Sequence, residues 1–294
     1  MNLSDIRTVK AVLARYGFHF SHSLGQNFII NADICPKMAQ LCGASPNTGV
    51  LEIGPGFGVL TRELSARSAK VVAIELDRSL EPVLKETLGD CKNVSIVWGD
   101  AMKLDLSTLI REEFEGMEVA VCANLPYYIT SPVIMRVLEE KLPITAMTVM
   151  VQKEAAERLC AVPGTRAAGA VSVSVQYYSE PKILFGVPRS CFYPQPNVDS
   201  CVIRLEVRKE PPVNVRDEKQ FFTVVQAAFS QRRKTAVNSV AAGLSIPKEK
   251  AAAAFAAAGV APDLRAERLT MEQFAALADA LYELNSEKGD GTDG

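Results

Sequence analysis

Val50-Leu51-Glu52-Ile53-Gly54-Pro55-Gly56-Phe57-Gly58 is the stretch on which the fold turns. A short, mostly apolar run passes straight into glycines at alternate positions, and an amphipathic segment follows. A buried strand that opens into a glycine turn and then a helix brings bare backbone close to a ligand. It also leaves the N-terminal N–H groups of the helix facing that ligand. The spacing is Glu-x-Gly-x-Gly-x-Gly. A dinucleotide fingerprint places its third glycine three positions after the second, where this chain has Val59, so a pyrophosphate ligand is disfavoured.

Working outward, similar apolar runs recur at 71–74, 94–98, 119–123 and 147–151, alongside 50–53 itself. Near-continuous Val/Ile content of this kind is what a parallel sheet covered on both faces demands. The amphipathic stretches 60–67, 79–88 and 132–140 lie between them and read as crossover helices. Residues 170–178 and 201–207 are β-rich and are expected to close the sheet with an antiparallel edge. The alternation predicts a doubly wound α/β domain over 1–208, including a basic N-terminal extension. Glu210-Pro211-Pro212 is a stiff break. After it the sequence is Ala-rich with helical periodicity, and helices are expected at 218–229, 236–244, 248–258 and 271–283. Pro247 marks a helix start and Gly259 a helix end. The prediction is an all-helical C-terminal domain over 209–285 and a flexible polar tail over 286–294.

The second and third strands make the first one specific. Glu75 ends strand two, 17 residues beyond Gly58, where a carboxylate can accept both hydroxyls of a ribose. Gly99-Asp100 ends strand three, where a carboxylate can accept from an exocyclic amino group. Carboxylates at successive strand ends face one crevice at the carboxyl edge of the sheet. Each alone is an ordinary solvated strand-end acid; with the glycine loop they outline a site for a nucleoside without phosphates. S-adenosylmethionine fits that description.

Strand four ends in Ala123-Asn124-Leu125-Pro126-Tyr127-Tyr128. Pro126 fixes an extended backbone before it, aiming the Asn124 amide and the Leu125 carbonyl into the crevice. A nucleobase amine is a poor nucleophile because its lone pair is delocalised into the ring. The Asn124 oxygen and the Leu125 carbonyl are two acceptors for its two N–H groups. Together they draw the nitrogen toward tetrahedral geometry and aim its lone pair at a methyl carbon. Catalysis is then positioning and electrostatics, with no metal required. Tyr127 is placed to stack on an extruded base. An Asn-Pro turn with a core tyrosine is the plainer alternative for the same residues.

The residues Ser23-Leu24-Gly25-Gln26-Asn27-Phe28, the 52–58 loop, Glu75, Gly99-Asp100, the Asn124–Tyr127 run and FYPQPNVDS at 192–200 occur in one order and spacing. In this the chain resembles the ribosomal RNA adenine dimethyltransferases, most closely the bacterial members acting on small-subunit (16S) rRNA. The resemblance extends from about residue 7 to about residue 284. It implies a Rossmann-like domain that uses S-adenosyl-L-methionine, with Asn27 and Ile29 against the methionine part, Gly54 and Gly56 beneath it, Glu75 on the ribose and Asp100 on the adenine amine. Asn124 then lies between cofactor and target, and Phe192 sandwiches the base with Tyr127. It further implies dimethylation of two adjacent adenines in a hairpin loop near the 3′ end of 16S rRNA, within the small subunit or its precursor, late in assembly. His22 stands where the family usually has Lys, which is expected to soften a phosphate contact while leaving cofactor chemistry intact.

Whole-chain composition sets the outer limits. The 294 residues are 48% hydrophobic and 22% charged, an ordinary globular balance. Seven cysteines without Cys-x-x-Cys spacing show no disulfide framework or zinc knuckle. His19 and His22, the only histidines, lack partners at metal-ligand spacing, and no metal is expected. Residues 1–10 lack the apolar stretch of a signal peptide, and no apolar run approaches the ~20 residues of a membrane span. A soluble, cytoplasmic protein is expected, without an obligate protein partner and monomeric. The net charge of −2 hides two acid-free basic stretches, 6–32 and 219–248, which together carry +8 against −10 elsewhere. Within the second, Arg232-Arg233-Lys234 either grips RNA phosphates or forms a solvated helix end. Pro163-Gly164-Thr165-Arg166 reads as a turn, although a mobile loop beside RNA fits the resemblance. Other functions stay open: a resistance-type methyltransferase of large-subunit rRNA, a DNA adenine methyltransferase (disfavoured by Leu125 within the strand-four run), or a ribosome-assembly factor with methylation secondary.

Overall fold

The computed structural model describes residues 1–20 and 25–286; His22 and the tail from 287 lie outside the described residues. The first part of the chain runs α1 (Ile6–Arg15), β1 (Phe28–Ile29), α2 (Ile34–Leu41), β2 (Thr48–Ile53), α3 (Val59–Ser65), β3 (Lys70–Glu75), α4 (Glu81–Leu88), β4 (Val94–Trp98) and α5 (Leu106–Phe114). It continues through β5 (Glu118–Asn124), α6 (Thr130–Glu139), β6 (Ala146–Gln152), α7 (Lys153–Leu159), α8 (Ala170–Tyr178), β7 (Ser179–Val187), β8 (Phe192–Tyr193) and β9 (Ser200–Val207). Four further helices follow: α9 (Glu218–Phe229), α10 (Ala236–Gly243), α11 (Lys248–Ala257) and α12 (Met271–Ser286).

Seven strands form one sheet in the order β4-β3-β2-β5-β6-β9-β7. The run from β4 to β6 is parallel and β9 pairs antiparallel with β6. The five strands expected from apolar runs all appear, each within two residues of its expected limits. Strand order reverses between β2 and β5, so the crevice outside their carboxyl ends is the topological switch point, where α/β sheets bind ligands. Register fixes what reaches that edge. Ile53 lies beside Ile74 and Ala123, and Glu75 beside Trp98. Glycine-49 is dictated by packing from below, because a Cβ there would stand 2.2 Å from Cδ1 of Phe114 on α5.

Two compact units are resolved, Met1–Ala156 with Glu180–Val207, and Glu157–Ser179 with the chain from Arg208 onward. Residues 157–179 therefore group with the C-terminal helices rather than with the expected 1–208 domain. The reason is a correction to secondary structure. Residues 170–178, read as a β edge, are the helix α8. Their Val/Ser alternation imitates a strand, but Val173 and Tyr177, four apart, share one buried face. Tyr177 packs its ring on Phe221 of α9 at 5.1 Å between centroids. Ser174 donates to the Ala170 carbonyl one turn back at 3.2 Å, and Ser179, just past the helix end, donates to that of Val175 at 2.8 Å. The expected antiparallel edge is supplied by β9 as foreseen, with β7 beside it. In the same unit the expected helices appear as α9 to α12, the last carrying Asn285 and Ser286, so that the expected tail begins inside a helix. Residues 163–166 form a turn in which the Thr165 N–H donates to the Val162 carbonyl at 3.2 Å.

Candidate functional site

One cleft at the carboxyl edge of the sheet gathers Asn27, Ile29, Gly54, Gly56, Glu75, Asp100, Asn124, Leu125, Pro126, Tyr127 and Phe192. Every cofactor and catalytic residue expected from sequence thus lines a single space. Arg232, Arg233 and Lys234 do not; they are exposed in the loop between α9 and α10.

The floor is the 54–58 loop. Gly54, Gly56 and Gly58 all have positive φ, at 74°, 54° and 84°. At Gly54 a Cβ would meet nothing within 4 Å, so the open side of its backbone belongs to the cleft. Glu75 is 6% exposed and anchored at both oxygens: Oε1 accepts from the Asp77 N–H at 2.8 Å and Oε2 from the Gly56 N–H at 3.2 Å. Burial raises its pKa, and those two N–H donors pull the other way. Asp100 accepts from the Met102 N–H at 2.8 Å, which turns the chain back after β4.

Asn124 ends β5. Its Nδ2 donates to the Asn27 carbonyl at 3.3 Å, while Asn27 in turn donates to the Gly25 carbonyl at 3.0 Å. That chain of bonds uses the donor end of the Asn124 amide and leaves its oxygen to accept. Tyr127 is held by its hydroxyl against Ser200 Oγ at 3.0 Å, and burial raises its pKa. Phe192 is 4% exposed and reaches the cleft because β8 pairs with β1, setting Ile29 opposite Phe192. This two-stranded ribbon is how FYPQPNVDS, far along the chain, arrives beside the first strand.

Glu52 was missed as a site residue although it stands in the quoted glycine run. It lines the cleft, is 1% exposed, and its Oε2 has no hydrogen-bond partner. Burial, with Glu75 and Cys42 nearby, pushes its pKa up to about 8. An acid inside a strand that is otherwise apolar was the available signal. Tyr128 lies on the same rim, 55% exposed. Three carboxylic residues line the cleft, and among the described lining residues there is no Lys, Arg or His. Such a lining rejects phosphates and suits a cationic nucleoside ligand, which is the character of S-adenosylmethionine.

Fold and cleft together define an α/β methyltransferase that uses S-adenosylmethionine. The family model for ribosomal RNA adenine dimethylase matches residues 17–283, and the chain belongs to that family. It is 50% identical to the ribosomal RNA small subunit methyltransferase A of Geobacillus thermodenitrificans (strain NG80-2), over 95% of this chain and 98% of that one. The protein of the same name from Alkaliphilus oremlandii (strain OhILAs) is 45% identical, with 95% and 98% covered. Among solved structures, the 23S rRNA methyltransferase ErmE superposes with a TM-score of 0.67 at 27% identity, over 87% of this chain and 99% of that one. A dimethyladenosine transferase from Plasmodium falciparum, at 24% identity, shares the fold with a TM-score of 0.72, over 89% and 98%. No described helix is long and apolar enough to cross a membrane.

Proposed function

We propose that this chain methylates the exocyclic amino groups of two adjacent adenines in a hairpin loop near the 3′ end of small-subunit 16S rRNA, late in subunit assembly, as a cytoplasmic monomer. The observation that carries the reading is the Asn124 amide. With Nδ2 engaged by the Asn27 carbonyl, the side chain offers an acceptor, and the Leu125 carbonyl offers a second one. Two acceptors match the two N–H groups of an adenine amine and nothing about a hydroxyl nucleophile. They hold the amine with its lone pair directed across the cleft, and Pro126 keeps that backbone extended. Tyr127 and Phe192 close on the two faces of the base.

The cofactor supplies an electrophilic methyl carbon on a sulfonium centre. In this reading Asn27 and Ile29 bound its methionine part, Gly54 and Gly56 lie beneath it, Glu75 accepts from the ribose hydroxyls, and Asp100 accepts from the adenine amine. Arg232, Arg233 and Lys234 contact RNA phosphates. The near-identical length and 45–50% identity of relatives named for the small subunit favour that substrate over the large-subunit one.

The test is transfer of labelled methyl groups to unmethylated small subunits, with large subunits and duplex DNA alongside. Label on small-subunit RNA is expected, and label on large subunits alone overturns the substrate assignment. Asn124→Ala is expected to cut the transfer rate about 10²–10³-fold, the scale of one lost transition-state hydrogen bond, with cofactor binding retained.

A further inference from the structure

Two cations outside the cleft lining are tied to the cleft wall: the exposed Lys103, whose Nζ lies 3.7 Å from Asp100 Oδ2, and the largely buried Arg136. Arg136 sits on α6, the helix that follows directly on the Asn124–Tyr128 run, and its side chain is 17% exposed. Its Nη1 donates to the Ala101 carbonyl at 2.6 Å and its Nη2 to the Leu104 carbonyl at 2.8 Å. Its Nε donates to Glu140 at 2.6 Å.

Those two carbonyls belong to the turn that carries Asp100. The Lys103 and Leu104 N–H groups both donate to the Asp100 carbonyl, at 2.8 and 3.0 Å, closing a single helical turn after β4. A lone turn leaves the carbonyls at its far end without intrachain partners. The guanidinium fork supplies two donors in fixed, planar geometry, which an ammonium cannot reproduce. Asp100, Ala101 and Met102 all line the cleft, so Arg136 acts on that wall from behind without entering the cleft.

We propose that Arg136 is a positioning residue for the cofactor: it fixes residues 100–104 against α6, so that the acceptor for the adenine amine is set in register with the acceptors for the target amine. The proposal rests on the reading of Asp100 given above. A wall ordered in advance costs less on binding, so loss of the fork falls on cofactor affinity rather than on the chemical step.

Trp98, the only tryptophan, lies two residues before Asp100 and serves as the fluorescence probe. The full chain is titrated with S-adenosylhomocysteine, as wild type, Arg136→Met, Arg136→Lys, Glu140→Gln and Asp100→Asn. Arg136→Met is expected to raise the cofactor Kd and KM by about tenfold, with kcat at saturating cofactor and KM for RNA near wild type. Arg136→Lys retains the charge and is expected to recover little. Glu140→Gln leaves both carbonyl bonds and is expected to bind as wild type. Millimolar methylguanidinium is expected to restore part of the lost affinity in Arg136→Met. Wild-type affinity in both Arg136 variants overturns the proposal, as does an equal loss in Glu140→Gln. Should the Met variant not fold, the Lys and Gln variants decide the matter alone. Failure of wild type to bind, or unchanged binding in Asp100→Asn, strikes instead at the reading of the cleft itself.

Discussion

Glu52 is a carboxyl group placed where a charge is costly. It is 1% exposed within β2, and Oε2 lacks a partner. The folded chain therefore keeps its proton up to about pH 8, whereas the unfolded chain loses it near the ordinary glutamate value of 4.5. Between those values the folded state binds more protons, so stability falls as pH rises, by ~1.4 kcal/mol per pH unit at most. Glutamine has the same shape and no proton to lose. Wild type is expected to lose stability from pH 6 to pH 8 relative to Glu52→Gln, with the difference constant below about pH 4.5. Urea unfolding across this range checks it, and parallel curves for the two proteins from pH 5 to 8 contradict it.

At the scale of elements, the inner parallel strands β2, β3, β5 and β6 were legible because both their faces are buried, which favours runs rich in Val and Ile; the edge strand β4 is half-buried throughout and was legible from its apolar run alone. Val71, Val72, Ala73 and Ile74 are at most 2% exposed, and no polar alternation blurs the pattern. The carboxyl-edge residues were legible for a related reason: glycine, carboxylate and Asn at strand ends are conspicuous against an apolar background. Two kinds of feature were not. The β1–β8 ribbon spans two residues on each strand, too short for any periodicity, yet it delivers Phe192 to the cleft. α8 was hidden by composition, since AVSVSVQYY alternates like a strand. What decides its state is hydrogen bonding: Ser172 Oγ accepts from the Gly169 N–H at 2.9 Å and donates to the Arg158 carbonyl at 2.6 Å. Ser172→Val separates these accounts. It improves strand propensity but removes both bonds, leaving the part-buried Gly169 N–H without its partner while the Arg158 carbonyl keeps only the Ala161 N–H at 3.4 Å, for an expected loss of about 1–2 kcal/mol. The readout is a lower urea midpoint at unchanged slope, and an unchanged or raised midpoint contradicts the helical account.

At the scale of the whole molecule, a net charge of −2 gives no hint of an RNA partner, because it averages two acid-free basic stretches against an acidic remainder, of which the carboxylates lining the cleft are a small part. These two surfaces make opposite electrostatic demands. The cleft must hold a cationic nucleoside, while any surface that grips rRNA must neutralise phosphates, and a chain that kept both functions on one patch would compromise each. Arg232, Arg233 and Lys234 are exposed, carry no ion pair to an acid among the described residues, and line no part of the cleft. The separation makes their contribution measurable on its own. Each phosphate contact steepens the fall of log K with log salt by about 0.7–0.9. The double reversal Arg232→Glu with Arg233→Glu is therefore expected to weaken small-subunit binding and to flatten its salt dependence by about one to two units of slope. Cofactor affinity, read by Trp98 fluorescence, is expected to stay at the wild-type value. An unchanged slope assigns this loop to a solvated helix end, and a change in cofactor affinity shows that the two surfaces are not independent.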